Sequence, residues 1–200
     1  MANHELDIDP LSHTLPERYR DGNSPDYLKI FPELLDGAIL AHRHKNLILY
    51  QKFETEILKI QNRILQSVDD EIAKALSEEL LSKTDIQIAI LENSLTQIKQ
   101  LKSMIEEKLH LEFKEGKLVS YPIPITIQSQ IQLKNEEKNI LSLLKSAHAE
   151  HSAKFHEHIG FIRQRLDNLV SANRAKIEKS EEIQESTFEE LFLKNKPKFK

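Results

Sequence analysis

From Thr126 to about Lys179 the chain runs without a proline and with a single glycine, Gly160. Apolar and seam residues recur through it in steps of three and four: Ile140, Leu144, Ala147, His151, Phe155, His158 or Ile159, Ile162, Leu166, Leu169, Asn173, Ile177. That spacing keeps one face of an α-helix turned the same way. At 1.5 Å per residue one continuous helix here would be roughly 80 Å long. A globular core of this size needs nothing so long, so the stretch predicts a bundle or coiled coil that presents a surface.

Composition agrees. Charged residues make up 30% of the chain and apolar residues 39%, with 4 glycines and no tryptophan, the mixture of solvent-washed helices rather than of a compact α/β core. A net charge of −4 withholds the general attraction that nucleic acid or anionic lipid requires. There is no cysteine, which rules out disulfides and thiolate metal sites and fits a reducing, cytoplasmic setting. Residues 1–24, rich in Asp, His, Pro and Asn, lack the apolar core of a signal peptide and read as a mobile arm in which Leu6, Ile8 and Leu11 are spaced apolar residues. No apolar run approaches the ~20 residues of a membrane span.

Ser24-Pro25-Asp26 has the form of a helix start, and Pro32 is expected to interrupt after Phe31. From Glu33 to Ser82 a second long pattern, with Tyr50, Phe53, Ile57, Ile60, Ile64 and Val68, predicts a first long helix that enclosess the His42-Arg43-His44-Lys45 basic cluster. Lys83-Thr84 leaves room for only a tight reversal, and Thr84 with Gln87 resembles a capping box. The next helix, Asp85 to Glu115, carries Leu91, Leu95, Ile98, Leu101 and Ile105 and stops at Gly116. Between 116 and 126 the sequence changes character. Pro122 and Pro124 alternate with Tyr121, Ile123 and Ile125, a pattern for extended chain rather than helix. At ~3.3 Å per residue this connection can run roughly 36 Å along the bundle, so that the third helix starts at the far end and lies parallel to the first.

The candidate sites are few. Tyr121, Pro122, Ile123, Pro124 and Ile125 form an apolar strand that either fills a groove of its own bundle or docks a partner. Glu107, His110, His148 and His151 are weak candidates for a metal, since a Glu-x-x-His pair and two histidines three apart can converge across facing helices. Otherwise no cofactor is indicated. The phosphate-cradling glycine loops and nucleophile motifs of common enzyme families are missing, and the chain reads as a non-enzyme.

Glu181-Glu182-Ile183-Gln184-Glu185 spells EExxE ahead of Phe188, Leu191, Phe192 and Leu193. This tail resembles the glutamate-rich C-terminal signal of effectors exported by type IV secretion systems of intracellular bacteria such as Legionella. The resemblance covers about twenty residues and implies export into a host cell without a cleavable signal peptide, with Glu181, Glu182 and Glu185 as the signal.

The expectation is therefore an all-α protein: an elongated antiparallel bundle or coiled coil of three to four long helices (25–179) with one extended proline-containing connection (116–126), a mobile arm (1–24) and an acidic-then-basic tail (180–200). Its expected role is that of a non-catalytic adaptor or scaffold binding another protein, with homodimerisation possible. The alternatives are a secreted effector gripping a host trafficking or signalling protein, and a His-rich metal-binding helical protein.

Overall fold

The structure, a computed structural model, describes residues 9, 11–19, 27–75, 84–108, 113–114, 117–118, 123–148 and 152–194. Five α-helices make up the bundle: α1 (Tyr27–Arg43), α2 (Leu47–Ala75), α3 (Thr84–Glu107), α4 (Pro124–His148) and α5 (Ser152–Lys194). A two-residue ladder, β1 (Phe113–Lys114) against β2 (Lys117–Leu118), sits in the connection between α3 and α4. Among the described residues no helix is long and apolar enough to cross a membrane.

The helix that organises the chain is α2, not the long C-terminal stretch. It packs against α1, α3 and α5 and buries residues over a broad face, including Leu49, Phe53, Ile57, Ile60, Ile64, Leu65, Val68 and Ile72. Side-chain pairs fix the directions of its neighbours. Gln87 Nε2 donates to the Ala75 carbonyl at 2.8 Å and Ser94 Oγ to Glu71 at 2.9 Å, so α3 runs antiparallel to α2. Gln130 reaches Glu106 and Lys102 pairs with Glu137, turning α4 back along α3. Gln61 meets Gln132 at 2.8 Å and the Ile125 N–H reaches the Tyr50 hydroxyl at 3.4 Å, so α4 is parallel to α2. Thr55 meets Ser180 and Asp69 faces Arg163, which makes α5 antiparallel to α2.

Two helices expected to be continuous are broken. The first long helix divides at His44–Asn46, where the N–H groups of Lys45 and Asn46 bond back to the carbonyls of His42 and Ala41 and Lys45 adopts a φ of 56°. This is a Schellman closure with lysine in the left-handed position usually held by glycine. Asn46 then caps α2 by accepting from the Leu49 N–H at 3.1 Å. The basic cluster at 42–45 therefore marks a helix C-terminus, where positive charge suits the dipole, rather than a helix interior. The third long helix divides between His148 and Ser152, and α5 folds back so that Arg165 meets Glu136 at 3.2 Å.

Proline is read differently at two places. α1 passes through Pro32 without stopping. Burial of Phe31, Leu34, Leu35 and Ala38 on one face outweighs the one backbone bond that proline removes. Pro124, expected in extended chain, opens α4 at its first position, where a missing N–H costs nothing. Thr126 completes that start: its hydroxyl accepts from the Ile123 N–H at 3.2 Å and donates to the Ile123 carbonyl at 2.8 Å. The extended connection is thus confined to fewer residues than 116–126, and the second helix ends at Glu107, not Glu115; Phe113–Lys114 pair instead with Lys117–Leu118.

Residues 11–19, expected to belong to a mobile arm, are laid on the bundle. Leu15 and Tyr19 are buried, Asn46 Nδ2 donates to the Ser12 carbonyl at 2.8 Å, and Lys52 donates to the His13 carbonyl at 2.6 Å. The Tyr19 ring rests against Phe53 at 6.1 Å between centroids. Its hydroxyl donates to Glu33 at 2.7 Å, and burial together with that carboxylate pushes its pKa up to about 12.

Candidate functional site

Where the N-terminal segment, α2 and α5 meet, the chain builds a polar junction. Thr55 lies in the buried face of α2 because its hydroxyl bonds back to the Gln51 carbonyl at 2.9 Å. The same oxygen meets Ser180 Oγ at 2.9 Å and accepts from Gln184 Nε2 at 3.2 Å. One turn along α2, Lys59 bridges the buried Glu56 at 3.1 Å and Glu181 at 2.6 Å. Burial works against the charge on Lys59, but the bonds to Glu181 and Glu56 outweigh it and its pKa is raised. Lys59 stays a cation and acts as a clamp. Thr14, Leu15, Lys52, Glu56 and Gln184 line a cleft of about 300 Å³ beside these groups. The hydroxyls are held by an amide, which shares a hydrogen bond without taking a proton. The trio joins α2 to α5.

Further along the same seam the polar groups go deeper. Asn173 of α5 and Gln61 of α2 are fully buried, and Ser129 of α4 is 1% exposed. The Thr55–Ser180 and Asp69–Arg163 pairs put Asn173 level with residues 59–62 of α2, and the Glu136–Arg165 pair puts it level with about 128 of α4. Gln61, Ser129 and Asn173 therefore share one layer between α2, α4 and α5, joined by Gln132 through its 2.8 Å bond to Gln61. Among the described residues, both ends of the Asn173 amide, Gln61 Oε1 and Ser129 Oγ have no hydrogen-bond partner. Buried amides of this kind cost free energy unless water or another polar group completes them.

A second opening of about 200 Å³ lies between α4 and α5, lined by Asn139, Ser142, Leu143, Phe161 and Ile162. Phe161 is 59% exposed at its edge, and Ile127 and Ile131, one turn apart on α4, are 44% and 58% exposed.

The sequence candidates fall as follows. Ile123 and Ile125 are buried in the bundle's own core, while Pro124 is exposed at the start of α4; Tyr121 and Pro122 lie outside the described residues. The strand they were expected to offer a partner is thus, over 123–125, a buried helix start. Glu107 is exposed at the end of α3, level with about Gln130 by the Glu106–Gln130 contact. His148 is the last residue of α4, roughly 27 Å further along that helix at 1.5 Å per residue. These two candidate ligands are not brought together, and His110 and His151 lie outside the described residues. Among the described residues no group of three or more metal-ligating side chains converges. Glu181, Glu182 and Glu185 sit within α5, which continues unbroken past residue 180 to Lys194; Glu181 is tied to Lys59, and Glu182 and Glu185 face solvent.

Sequence reasoning named Asn173 as a stripe residue but missed Thr55, Glu56, Asp69 and Glu136. Their signal was a polar residue at a seam position, recognisable only when the register of the partner helix is known. No protein family matches this chain, and no curated protein or solved structure matches it.

Proposed function

We propose that the protein is a non-catalytic interaction module that presents the outer faces of α4 and α5 to a protein partner. The observation that carries this reading is the trio of large apolar side chains standing in water there: Ile127 and Ile131 on successive turns of α4, and Phe161 beside the α4–α5 groove. Isolated exposed apolar residues are ordinary, but apolar side chains one turn apart on the outer face of a helix, with a further aromatic at a groove along the same helix pair, are what an amphipathic partner buries. The polar seam supports the same reading, since its clamps hold helices in register.

The test replaces Ile131 and Phe161 by Asp, singly and together. Both positions are exposed, so stability should change by no more than about 0.5 kcal/mol. Affinity capture with the wild-type chain should retain a stoichiometric protein partner that the double variant loses. A partner retained equally by both would refute the assignment of this face.

A second reading, a secreted effector acting on a host protein, is favoured by the exposure of Glu182 and Glu185 on α5. It predicts that changing both to Ala abolishes export while leaving partner capture intact.

A further inference from the structure

We propose, resting on the reading of this face as a protein interface, that its occupant is an acidic amphipathic helix of the partner. Its apolar side chains cover Ile127 and Ile131, and its carboxylates meet Lys134, Lys138 and Lys145. All five residues are exposed on α4. Successive steps of four, three, four and seven residues, at about 100° per residue, keep them within roughly 60° of one another around the helix. They form one stripe about 27 Å long at 1.5 Å per residue. The stripe is apolar at the N-terminal end of α4 and cationic beyond it.

The charge of the stripe is the part that folding alone does not account for. α4 carries two carboxylates, and both are turned away from it: Glu136 is buried and meets Arg165 at 3.2 Å, and Glu137 pairs with Lys102 of α3. Among the described residues no ion pair reaches Lys134, Lys138 or Lys145. Lys145, in the last turn of α4, suits the helix dipole. Lys134 and Lys138 stand mid-helix and four apart, where like charges repel. α4 gains nothing from that pair by itself, whereas a carboxylate on a partner is attracted by both. The chain as a whole carries a net charge of −4, so this cationic line is a local exception.

Apolar and charged residues are segregated along the stripe rather than around the helix. A helix lying in a membrane surface carries apolar residues along its whole length with lysines on the opposite face; here two isoleucines at one end share a line with the lysines. A phosphate backbone would pair with the lysines and leave Ile127 and Ile131 uncovered. A partner helix laid along α4 meets both halves at once, with apolar side chains over the isoleucines and acids at i, i+4 and i+11 over the lysines. Phe161, across the groove from Asn139 and Ser142, gives the acidic end of that helix an aromatic edge to pack on.

The test uses the full chain as bait in a nuclease-treated lysate, with a carbodiimide to join lysines to carboxylates in contact and mass spectrometry to identify the joined residues. The expected result is a protein cross-linked through Lys134, Lys138 or Lys145 to Asp or Glu residues spaced four or seven apart in its own chain. Its affinity, measured with the purified partner, should fall at least about tenfold when Lys134, Lys138 and Lys145 all become Gln, and further when all three become Glu. The three positions are exposed, so the urea midpoints of these variants should stay at that of the wild type. A partner lost by the Ile131→Asp, Phe161→Asp variant but kept by the triple Lys→Glu variant would overturn the acidic helix and leave the interface reading standing. A partner kept by both, or no partner at all, would overturn both. Binding to phosphatidylserine vesicles, or self-association by light scattering, that the triple Lys→Glu variant loses while no protein is cross-linked would assign the stripe to a lipid surface or to a second copy, and would likewise overturn the proposal.

Discussion

Helices α2 and α5 are antiparallel neighbours, yet they are held in different ways. α2 buries fifteen of its 29 residues and meets all four other helices, α4 through the Gln61–Gln132 and Ile125–Tyr50 bonds. α5 is longer, at 43 residues, but among its described side chains the buried ones form a single line: Ile159, Ile162, Leu166, Val170, Asn173 and Ile177. One of the six is an amide without partners among the described residues, and the flanks of the line are polar or charged pairs. Area buried from water provides most of the stability of a helix in a bundle. It follows that α2 is a core element and α5 an attached one, able to open at a lower cost than the bundle as a whole.

The largest expected effect tests that ranking. Ile57 on α2 is fully buried and Ile177, at the same level on α5, is 8% exposed. Ile57→Ala should cost about 4 kcal/mol and Ile177→Ala about 2 kcal/mol, since a fully enclosed site cannot collapse around its cavity. Urea unfolding of the two variants measures the gap, and equal losses would place the two helices on the same footing. Asn173→Leu sharpens the contrast in the opposite direction. Replacing a buried amide whose atoms have no partner among the described residues should raise stability by about 1–3 kcal/mol and slow hydrogen exchange specifically along α5. Loss of stability would show instead that water completes the amide.

How much of this was legible depended on which signal carried it. The helical period was plain, and it placed Leu91, Leu95, Ile98, Leu101 and Ile105 of α3 on the buried face where they lie. The reversal at Thr84 was legible from a short connection. The direction of α4, parallel to α2, was also expected, though in place of an extended crossing Phe113–Lys114 pair back on Lys117–Leu118. The helix ends were not legible where the usual punctuation is absent. Lys45 occupies a glycine position, Pro32 sits inside a helix, and nothing between His148 and Ser152 signals a stop. In each case packing against a distant helix decided what local preference could not. The docking of residues 11–19 was hidden for a similar reason, because two buried side chains, Leu15 and Tyr19, have no period to reveal them. The polar seam of α2, α4 and α5 depends on three helix registers at once, which no single stretch contains.

The pH dependence of the seam gives a third test. Burial raises the pKa of Asp69, Arg163 offsets part of the rise, and Asp167 and Asp70 add to it. The folded protein therefore holds this proton more tightly than the unfolded chain does. The associated stability is complete below the unfolded value of 3.8 and is lost as pH rises through the higher folded value. At neutral pH the ionised carboxylate is thus a net burden on the α2–α5 seam, and Asp69→Asn should be more stable than the wild type at pH 7. That advantage should shrink as pH is lowered toward 3.8, which paired urea titrations across the range would show. A constant advantage at every pH would mean that Asp69 does not titrate in the seam.

The smallest effect lies at the rim of the same seam. Lys59 and Glu181 approach to 2.6 Å, but their side chains are 32% and 43% exposed, so water and salt screen the pair. Glu181→Gln should cost no more than about 0.5 kcal/mol and the loss should fade in high salt, whereas truncating Ile177 should be nearly insensitive to salt. That difference makes Glu181 a useful probe of the secretion reading as well. Because its structural contribution is small, a large loss of export in Glu181→Gln with an unchanged urea midpoint would locate a recognition role in the EExxE motif. Export that follows only stability would reduce this glutamate to a clamp that holds α5 on α2.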